Sequence, residues 1–325
     1  MKFLKIFEPA YHFISSVRNF FYDQNFISKE KLGVPVISVG NLSFGGVGKT
    51  PCIIFLASQF SKEFNVAVVC KSYRTQLKSP HKVDLLDSNA PQLFGDEPCV
   101  IQQALPTCHV WSGPKKFKTA RAALSDSPDI IFVDDAFSHR KLFRNFDLVL
   151  IDATVGFNTY LRESKKNLIR CNAVLITKVN LVNQNKVSEI EKQILKLCPQ
   201  LTGSIYQSQV ETRLNIEKRS QVMIFCGLAN PESFFHDVEG QKMDIIKKEI
   251  FTDHHRYTIF EQKNILAKFM ELRRSNPNLK LLTTHKDFIK ITDLDLRNAV
   301  TVADHKMVMD DISKESLFEK IRKTF

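Results

Sequence analysis

Short runs of Val, Ile and Leu recur along this chain, each closed by a glycine or polar break, and stretches of helical spacing lie between them. Runs of this length bounded by turn residues read as strands, and strands alternating with helices read as a parallel α/β sheet. The first run opens the stretch Val34–Thr50. Asn65–Cys70, Val83–Leu86, Asp129–Val133, Phe146–Ile151 and Ala173–Thr177 follow. Val187–Leu197 has helical spacing, with Glu189, Glu191, Lys192 and Lys196 on its outer side. Across residues 34–210 this alternation predicts a doubly wound sheet. A second α/β unit is expected from near residue 215. Its strands are Val222–Cys226, Lys247–Phe251, Lys280–Thr284 and Ala299–Ala303, and Asn230-Pro231-Glu232 opens a helix. A final helix is expected over Ile312–Ile321.

At the N-terminus the pattern changes. Phe3, Phe7, Ala10, Ile14, Val17 and Phe21 fall on one helical face, widened by Ile6, Phe13 and Phe20, while Lys2, Lys5, Glu8, His12, Arg18 and Asn19 lie largely outside it. Such an amphipathic helix either docks on the protein's own core or lies in a membrane interface, and periodicity allows both. The expected organisation is an amphipathic helix in 1–28, a larger α/β domain in 29–213 and a smaller one in 214–325.

The break after the first strand carries the most specific chemistry. Val34–Thr50 reads V-P-V-I-S-V-G-N-L-S-F-G-G-V-G-K-T, followed by Pro51, which is tolerated in a first helical turn. Strand, glycine loop and helix in that order form a phosphate-binding loop. Backbone N–H groups surround the phosphates, Lys49 reaches the β/γ oxygens and Thr50 offers a hydroxyl to Mg²⁺. Ser43 stands where the strict pattern has its first Gly. The nucleotide contacts are expected from Asn41, Ser43, Phe44, Gly45, Gly46, Val47, Gly48, Lys49 and Thr50. Asp129–Val133 then ends in Asp134-Asp135, an acidic pair that can complete a Mg²⁺ shell with Thr50. The fold class is thus a P-loop NTPase-like doubly wound sheet with a second, smaller α/β domain and an N-terminal amphipathic helix.

Other positions have two readings. Asp96, in Gly95-Asp96-Glu97-Pro98, reads first on spacing as a helix N-cap, and stands also where an α/β enzyme places a catalytic base. Lys115, Lys116, Lys118 and Arg121 form a basic helical face that is either solvated or meets anionic headgroups. Arg162, in Tyr160-Leu161-Arg162-Glu163-Ser164, is a candidate for gripping substrate. Asp253-His254-His255 lacks a third ligand at zinc spacing, and a His beside a carboxylate can tune a catalytic group.

Composition narrows the partners. Over 325 residues the net charge is +11, which favours polyanions: nucleotides, nucleic acid or an anionic membrane surface. Nothing resembles the aromatic-basic surfaces of nucleic-acid readers, so no nucleic acid is expected. The seven cysteines form no C-x-x-C pair and read as buried thiols suited to a reducing cytoplasm. Neither a cleavable signal peptide nor a spanning segment is expected.

Taken together, these motifs resemble the tetraacyldisaccharide 4'-kinases of lipid A biosynthesis over essentially the whole length. Val34–Pro51 carries the strongest likeness, including the Ser in place of the first loop Gly. Gly95-Asp96-Glu97-Pro98, Asp134-Asp135 with His139, Leu161-Arg162-Glu163, Asp253-His254, and Thr284 with Lys286-Asp287 recur in that family's order. The resemblance implies transfer of the γ-phosphate of Mg·ATP to the 4'-hydroxyl of an acylated glucosamine disaccharide 1-phosphate. It places the reaction at the cytoplasmic face of the bacterial inner membrane, with the N-terminal helix as peripheral or monotopic anchor and no obligate protein partner. It implies that Lys49 and Thr50 bind phosphate and Mg²⁺, with Asp134 and Asp135 on the metal side. Asp96 would be the general base, His254 its partner from the second domain, and Arg162 and Glu163 would lie near phosphates and acceptor. In this reading the Asp96–His254 dyad assembles when two lobes close. Lys71-Ser72-Tyr73-Arg74, Ala136, Ser138, the segment before Leu161 and His285 depart from the family's usual pattern. The alternative is a partitioning-type or metal-insertion P-loop ATPase; that group's loop carries a Lys directly before Gly-Gly, where this chain has Phe44.

Overall fold

A computed structural model describes residues 17–325 apart from 25, 44, 45, 73, 74, 76, 88 and 229. The expected helix over residues 2–16, Phe44 and Gly45 of the phosphate loop, and Tyr73-Arg74 lie outside the described residues. The chain forms two compact units. The first comprises residues 1–83, 101–210 and 307–325, and the second 84–100 and 211–306.

The first unit is built on an eight-stranded sheet. Its strands are β1 (Val36–Asn41), β2 (Val66–Lys71), β3 (His81–Lys82), β4 (His109–Gly113), β5 (Ile130–Asp134), β6 (Phe146–Asp152), β7 (Ala173–Thr177) and β8 (Ile205–Gln207), in the order β3-β4-β2-β5-β1-β6-β7-β8. All neighbours are parallel except β3 with β4. Every residue of β1, β5, β6 and β7 is buried, which explains why these strands read as continuous apolar runs. The chain winds first to one side of β1 and then, from β6, to the other. Ligands of open α/β sheets bind where the winding reverses, beyond the carboxyl ends of the strands. At those ends stand Asn41 on β1, Asp134 on β5, Asp152 on β6 and Thr177 on β7.

The second unit carries a five-stranded sheet, order β11-β10-β12-β13-β9, from β9 (Gln209–Arg213), β10 (Gln221–Cys226), β11 (Asp244–Ile250), β12 (Lys280–Thr284) and β13 (Val300–Val308). Its core packs Val222, Ile224, Phe234, Phe235 and Leu282 on one side and Phe225, Tyr257, Ile265, Phe269 and Leu281 on the other.

Three local expectations are corrected. The short strand lies at His81–Lys82, and Val83–Leu86 lies outside it. The strand His109–Gly113 was hidden because Trp111 and Ser112 interrupt its apolar pattern. Finally, the chain changes units several times instead of once at 213/214. The Asp311–Arg322 helix returns to the first unit because its apolar face, Leu317, Phe318 and Ile321, finds Phe55 and Phe60 of the Lys49–Phe60 helix. All seven cysteines are buried, and they carry thiols, not disulfides.

Residues 17–23 are helical. Asn19 and Tyr22 are buried, and Arg140 binds the Asn19 carbonyl at 2.8 Å. Val17, Phe20 and Phe21 of the apolar stripe are exposed, as is Phe26 at 72%. Here the stripe faces outward instead of docking on the core.

Backbone packing fixes where β1 ends. A Cβ on Gly40 would lie 2.5 Å from the Phe137 Cβ and 2.9 Å from the Phe137 nitrogen. Gly40→Ala is therefore expected to cost about 1–3 kcal/mol through overpacking. Urea unfolding checks this; an unchanged midpoint would mean that the Phe137 turn yields without strain.

Candidate functional site

Two clusters of side chains have the makings of a site, one in each unit. The first forms at the end of β1. The Lys49–Phe60 helix starts directly after Gly48, whose φ of 89° is the left-handed conformation that favours glycine. Its first turn has no side-chain cap and no acidic residue, so its N–H groups suit an incoming anion. The sheet ties the loop down from below: Thr177 Oγ1 donates to the Val47 carbonyl at 3.0 Å, and Lys178 Nζ donates to the Gly46 carbonyl at 3.0 Å. Asp152 holds Lys178 at 2.6 Å.

Asn41, fully buried, is the hub of this cluster. Its amide donates to the Ser43 carbonyl at 2.7 Å and to the Ser43 hydroxyl at 3.2 Å, so the Ser at the first-Gly position has a use that glycine lacks. Its Oδ1 accepts from Lys49 Nζ at 3.2 Å and from Arg162 at 2.6 Å. Arg162 arrives there because its segment is pinned beside the chain leaving β1, with Arg162 N donating to the Leu42 carbonyl at 2.8 Å. Arg162 also grips both oxygens of Asp135, one at 2.9 Å.

Asp135 gathers the charges. Lys49 lies 3.6 Å and Lys116 3.7 Å from its carboxylate. Burial pushes this carboxyl up, but the Arg162 hydrogen bond and the charges of Lys116 and Lys49 outweigh it and hold it well below the usual range. His139, nearby, is depressed to about 4 by burial and by Lys116, so it is neutral at pH 7. Lys116 corrects the sequence reading. It is 2% exposed, far from a solvated or headgroup-binding face, because the helix beginning at Lys116 turns its first side chain under the Asp134-Asp135 turn. The Gly113-Pro114 break just before it was the signal. Lys115, Lys118 and Arg121 stay exposed.

Asp134 is nearly buried at 5% exposure. Burial, and secondarily the charge of Asp134, raise the Cys52 thiol two residues beyond Thr50, so this carboxylate faces the first turn of the phosphate-loop helix. A half-buried Thr50 hydroxyl and one carboxylate suit Mg²⁺, which keeps most of its shell as water and phosphate oxygens. Asp135, already clasped by Arg162, suits that role less. Glu163 has other partners altogether. It is 1% exposed and accepts from Asn167, from Arg170 at 3.4 Å and from Asn19 at 3.4 Å, with Arg18 at 3.6 Å. It ties residues 17–23 to the segment that delivers Arg162.

The second cluster surrounds Asp96, first residue of the Asp96–Ala104 helix. His254 Nδ1 lies 2.9 Å from Asp96 Oδ2, and Lys290 Nζ lies 3.2 Å from the same oxygen. His254 has a φ of 59°, and Asp253 stands 3.8 Å from its other ring nitrogen. Asp96 and His254 both belong to the second unit, so the expectation that they come from different domains is corrected. By position residue 96 falls in the expected first domain, whereas residues 84–100 pack with 211–306. Lys290 went unnoticed in the sequence; its spacing of three from Asp287 was the available signal.

Known proteins resemble the chain along its length. The family model described as LpxK, tetraacyldisaccharide-1-P 4'-kinase, matches residues 1–325. The tetraacyldisaccharide 4'-kinase of Bdellovibrio bacteriovorus is 32% identical over 315 residues, 90% of each chain. That of Flavobacterium psychrophilum is 29% identical, over 88% of this chain and 86% of the relative. Among solved structures, LpxK from Aquifex aeolicus in complex with ATP is similar with a TM-score of 0.77 and 25% identity, over all of this chain and 99% of that one.

The charge balance at Asp135 makes a stability prediction. Asp135→Asn leaves the buried Lys116 and its neighbours without their carboxylate and is expected to cost about 3 kcal/mol at neutral pH. Because the native carboxyl sits below its ordinary value of 3.8, this contribution is full above that value and fades as pH falls through the depressed native one. Denaturant unfolding of wild type and variant should differ equally at about pH 7 and pH 5 and converge only below about pH 4. Convergence already at pH 5 would contradict the assignment.

Proposed function

The chain belongs to the tetraacyldisaccharide-1-phosphate 4'-kinase family, and from that premise we propose how its two clusters divide the reaction. The protein is a kinase of lipid A biosynthesis that uses ATP to phosphorylate the 4'-hydroxyl of a tetraacyldisaccharide 1-phosphate. The observation that carries the division of labour is the contrast between the clusters. Three cations converge on Asn41 and Asp135 beside a phosphate loop, whereas a carboxylate with a histidine partner stands at Asp96.

In this proposal Asn41, Ser43, Phe44, Gly45, Gly46, Val47 and Gly48 shape the loop around the ATP phosphates. Lys49 and Arg162 exchange part of their hold on Asp135 and Asn41 for the β- and γ-phosphate oxygens. Thr50 and Asp134 would hold Mg²⁺, and Asp135 orders the cations instead of binding metal. The metal held by these two residues would supply neutralisation of phosphate charge. Asp96 accepts the proton of the 4'-hydroxyl as its oxygen forms the new bond to the γ-phosphorus and the bond to the ADP oxygen breaks. His254 orients Asp96 and supports its basicity. Glu163 acts as a positioning residue that holds the segment bearing Arg162.

The exposed Val17, Phe20, Phe21 and Phe26 support seating of this end of the chain in the lipid surface that presents the substrate, on the cytoplasmic face of the inner membrane. No helix among the described residues is long and apolar enough to cross a membrane.

The test is transfer of labelled phosphate from ATP to tetraacyldisaccharide 1-phosphate in detergent. Asp96→Asn is expected to reduce kcat by at least about 10²-fold, with ATP binding unchanged. A variant that transfers phosphate as well as wild type would remove Asp96 from the mechanism. ATP hydrolysis without acceptor product would favour the partitioning-type ATPase alternative.

A further inference from the structure

The segment Thr284–Lys290 holds a charge pair that the reaction scheme above does not use. Asp287 is completely buried, and a buried carboxylate is tolerated only when its oxygens are hydrogen-bonded and its charge is paired. Its Oδ2 accepts from the Gly227 N–H at 3.1 Å and from the Thr284 hydroxyl at 2.8 Å. Its Oδ1 accepts from the Tyr257 hydroxyl at 3.0 Å and from Lys290 Nζ at 3.4 Å. Gly227 must be glycine-like for this approach: a Cβ there would lie 3.1 Å from Asp287 Oδ1 and 3.0 Å from the Thr252 carbonyl. Three segments of the second unit therefore meet at one side chain.

Among the described residues, Lys290 reaches onward from this group to Asp96. Its side chain is 6% exposed, and its ammonium sits between Asp287 and Asp96. His254 reaches Asp96 from the loop that Tyr257 anchors to the same Asp287. Lys290 and His254 both contact Asp96 through Oδ2.

We infer that Lys290, fixed by the buried Asp287, is a positioning residue that clamps Asp96 by one oxygen and aims the other at the acceptor hydroxyl. This inference rests on the reading of Asp96 as the base. Asp287 shares the ammonium, so Lys290 is held from both sides and supplies geometry at Asp96. The remaining charged groups around Asp96 are His254 with Asp253 behind it, and Glu97, which holds Lys286 at 3.5 Å. Cys99, one turn along, is pushed up to about 12 by burial and by the charge of Asp96, and stays a neutral thiol.

The experiment measures kcat and KM for acceptor phosphorylation with the full chain in detergent. Lys290→Met strands Asp287 without a counter-charge and is prone to misfold, so the double variant Lys290→Met with Asp287→Asn is made beside it to remove both charges, and Lys290→Arg to keep the cation. Thermal melting establishes which variants are folded. In the folded Met variants kcat is expected to fall at least about tenfold with KM for ATP and acceptor within about twofold of wild type, and Lys290→Arg to recover most of the loss. A folded Met variant with wild-type kcat overturns the inference, as does a loss confined to KM or a Lys290→Arg variant no better than Met. Asp96→Asn separates the two claims. If it still transfers phosphate, the base reading fails; if it is inactive while the lysine variants behave as wild type, only the clamp fails.

Discussion

Asp135 is the counter-charge on which the phosphate cradle depends. Lys49, Lys116 and Arg162 would repel one another at the end of β1, and Lys116 is almost wholly cut off from water. A single carboxylate at the turn after β5 offsets that repulsion and sets the directions of all three. Its φ of 52° belongs to the same requirement, since the turn must leave β5 sharply to bring the carboxylate back over the neighbouring strand. The neutrality of His139 follows from the same surroundings. A fourth positive charge there would be expensive, and burial together with Lys116 keeps the ring unprotonated.

The sheet supplies what the charges cannot, which is distance. β1 lies between β5 and β6, so the loop leaving it runs between the turn carrying Asp135 and the strand end carrying Asp152. Gly40 lets the Phe137 turn press against β1, and Thr177 at the end of β7 and Lys178 just beyond it hold the loop carbonyls of Val47 and Gly46. With its carbonyls engaged from below, the loop has its N–H groups for an anion. Preorganisation of this kind avoids ordering the loop at the moment of binding.

The sequence made the strands and the phosphate loop readable because both are local. A buried parallel strand is a short apolar run, and a glycine turn ending in Lys-Thr before a helix needs no distant partner to be recognised. Lys49, Thr50, Asp134, Asp135 and Asp96 were nameable for that reason. Lys116 and Lys290 were not. Each is a lysine among other lysines in the sequence, and its burial is decided by carboxylates that are distant in the chain or in another loop. Glu163 was grouped with Arg162 because the two are adjacent. Adjacent residues leave a backbone in different directions, and here one meets Asp135 while the other meets Arg170 and Asn167. Residues 84–100 and the helix at 311–322 joined units that no linker composition announced. Apolar faces chose those positions, and no local break in sequence marks that choice.

The two clusters are built from the same groups with opposite excess. Around Asp135 there are three cations to one clasped carboxylate, and Asp134, whose charge also acts on Lys116, still leaves the cations in excess. Around Lys290 there are two carboxylates to one ammonium, with a histidine added. A region that must receive phosphates gains from the first imbalance, because bound anions complete the pairing instead of competing with it. A region that must take a proton from a neutral hydroxyl gains from the second. There the ammonium is shared between two carboxylates, so neither is matched by a cation of its own. Asp287, the most deeply buried carboxylate of the second unit, fixes where that ammonium stands, and so fixes the oxygen at which it meets the more exposed Asp96.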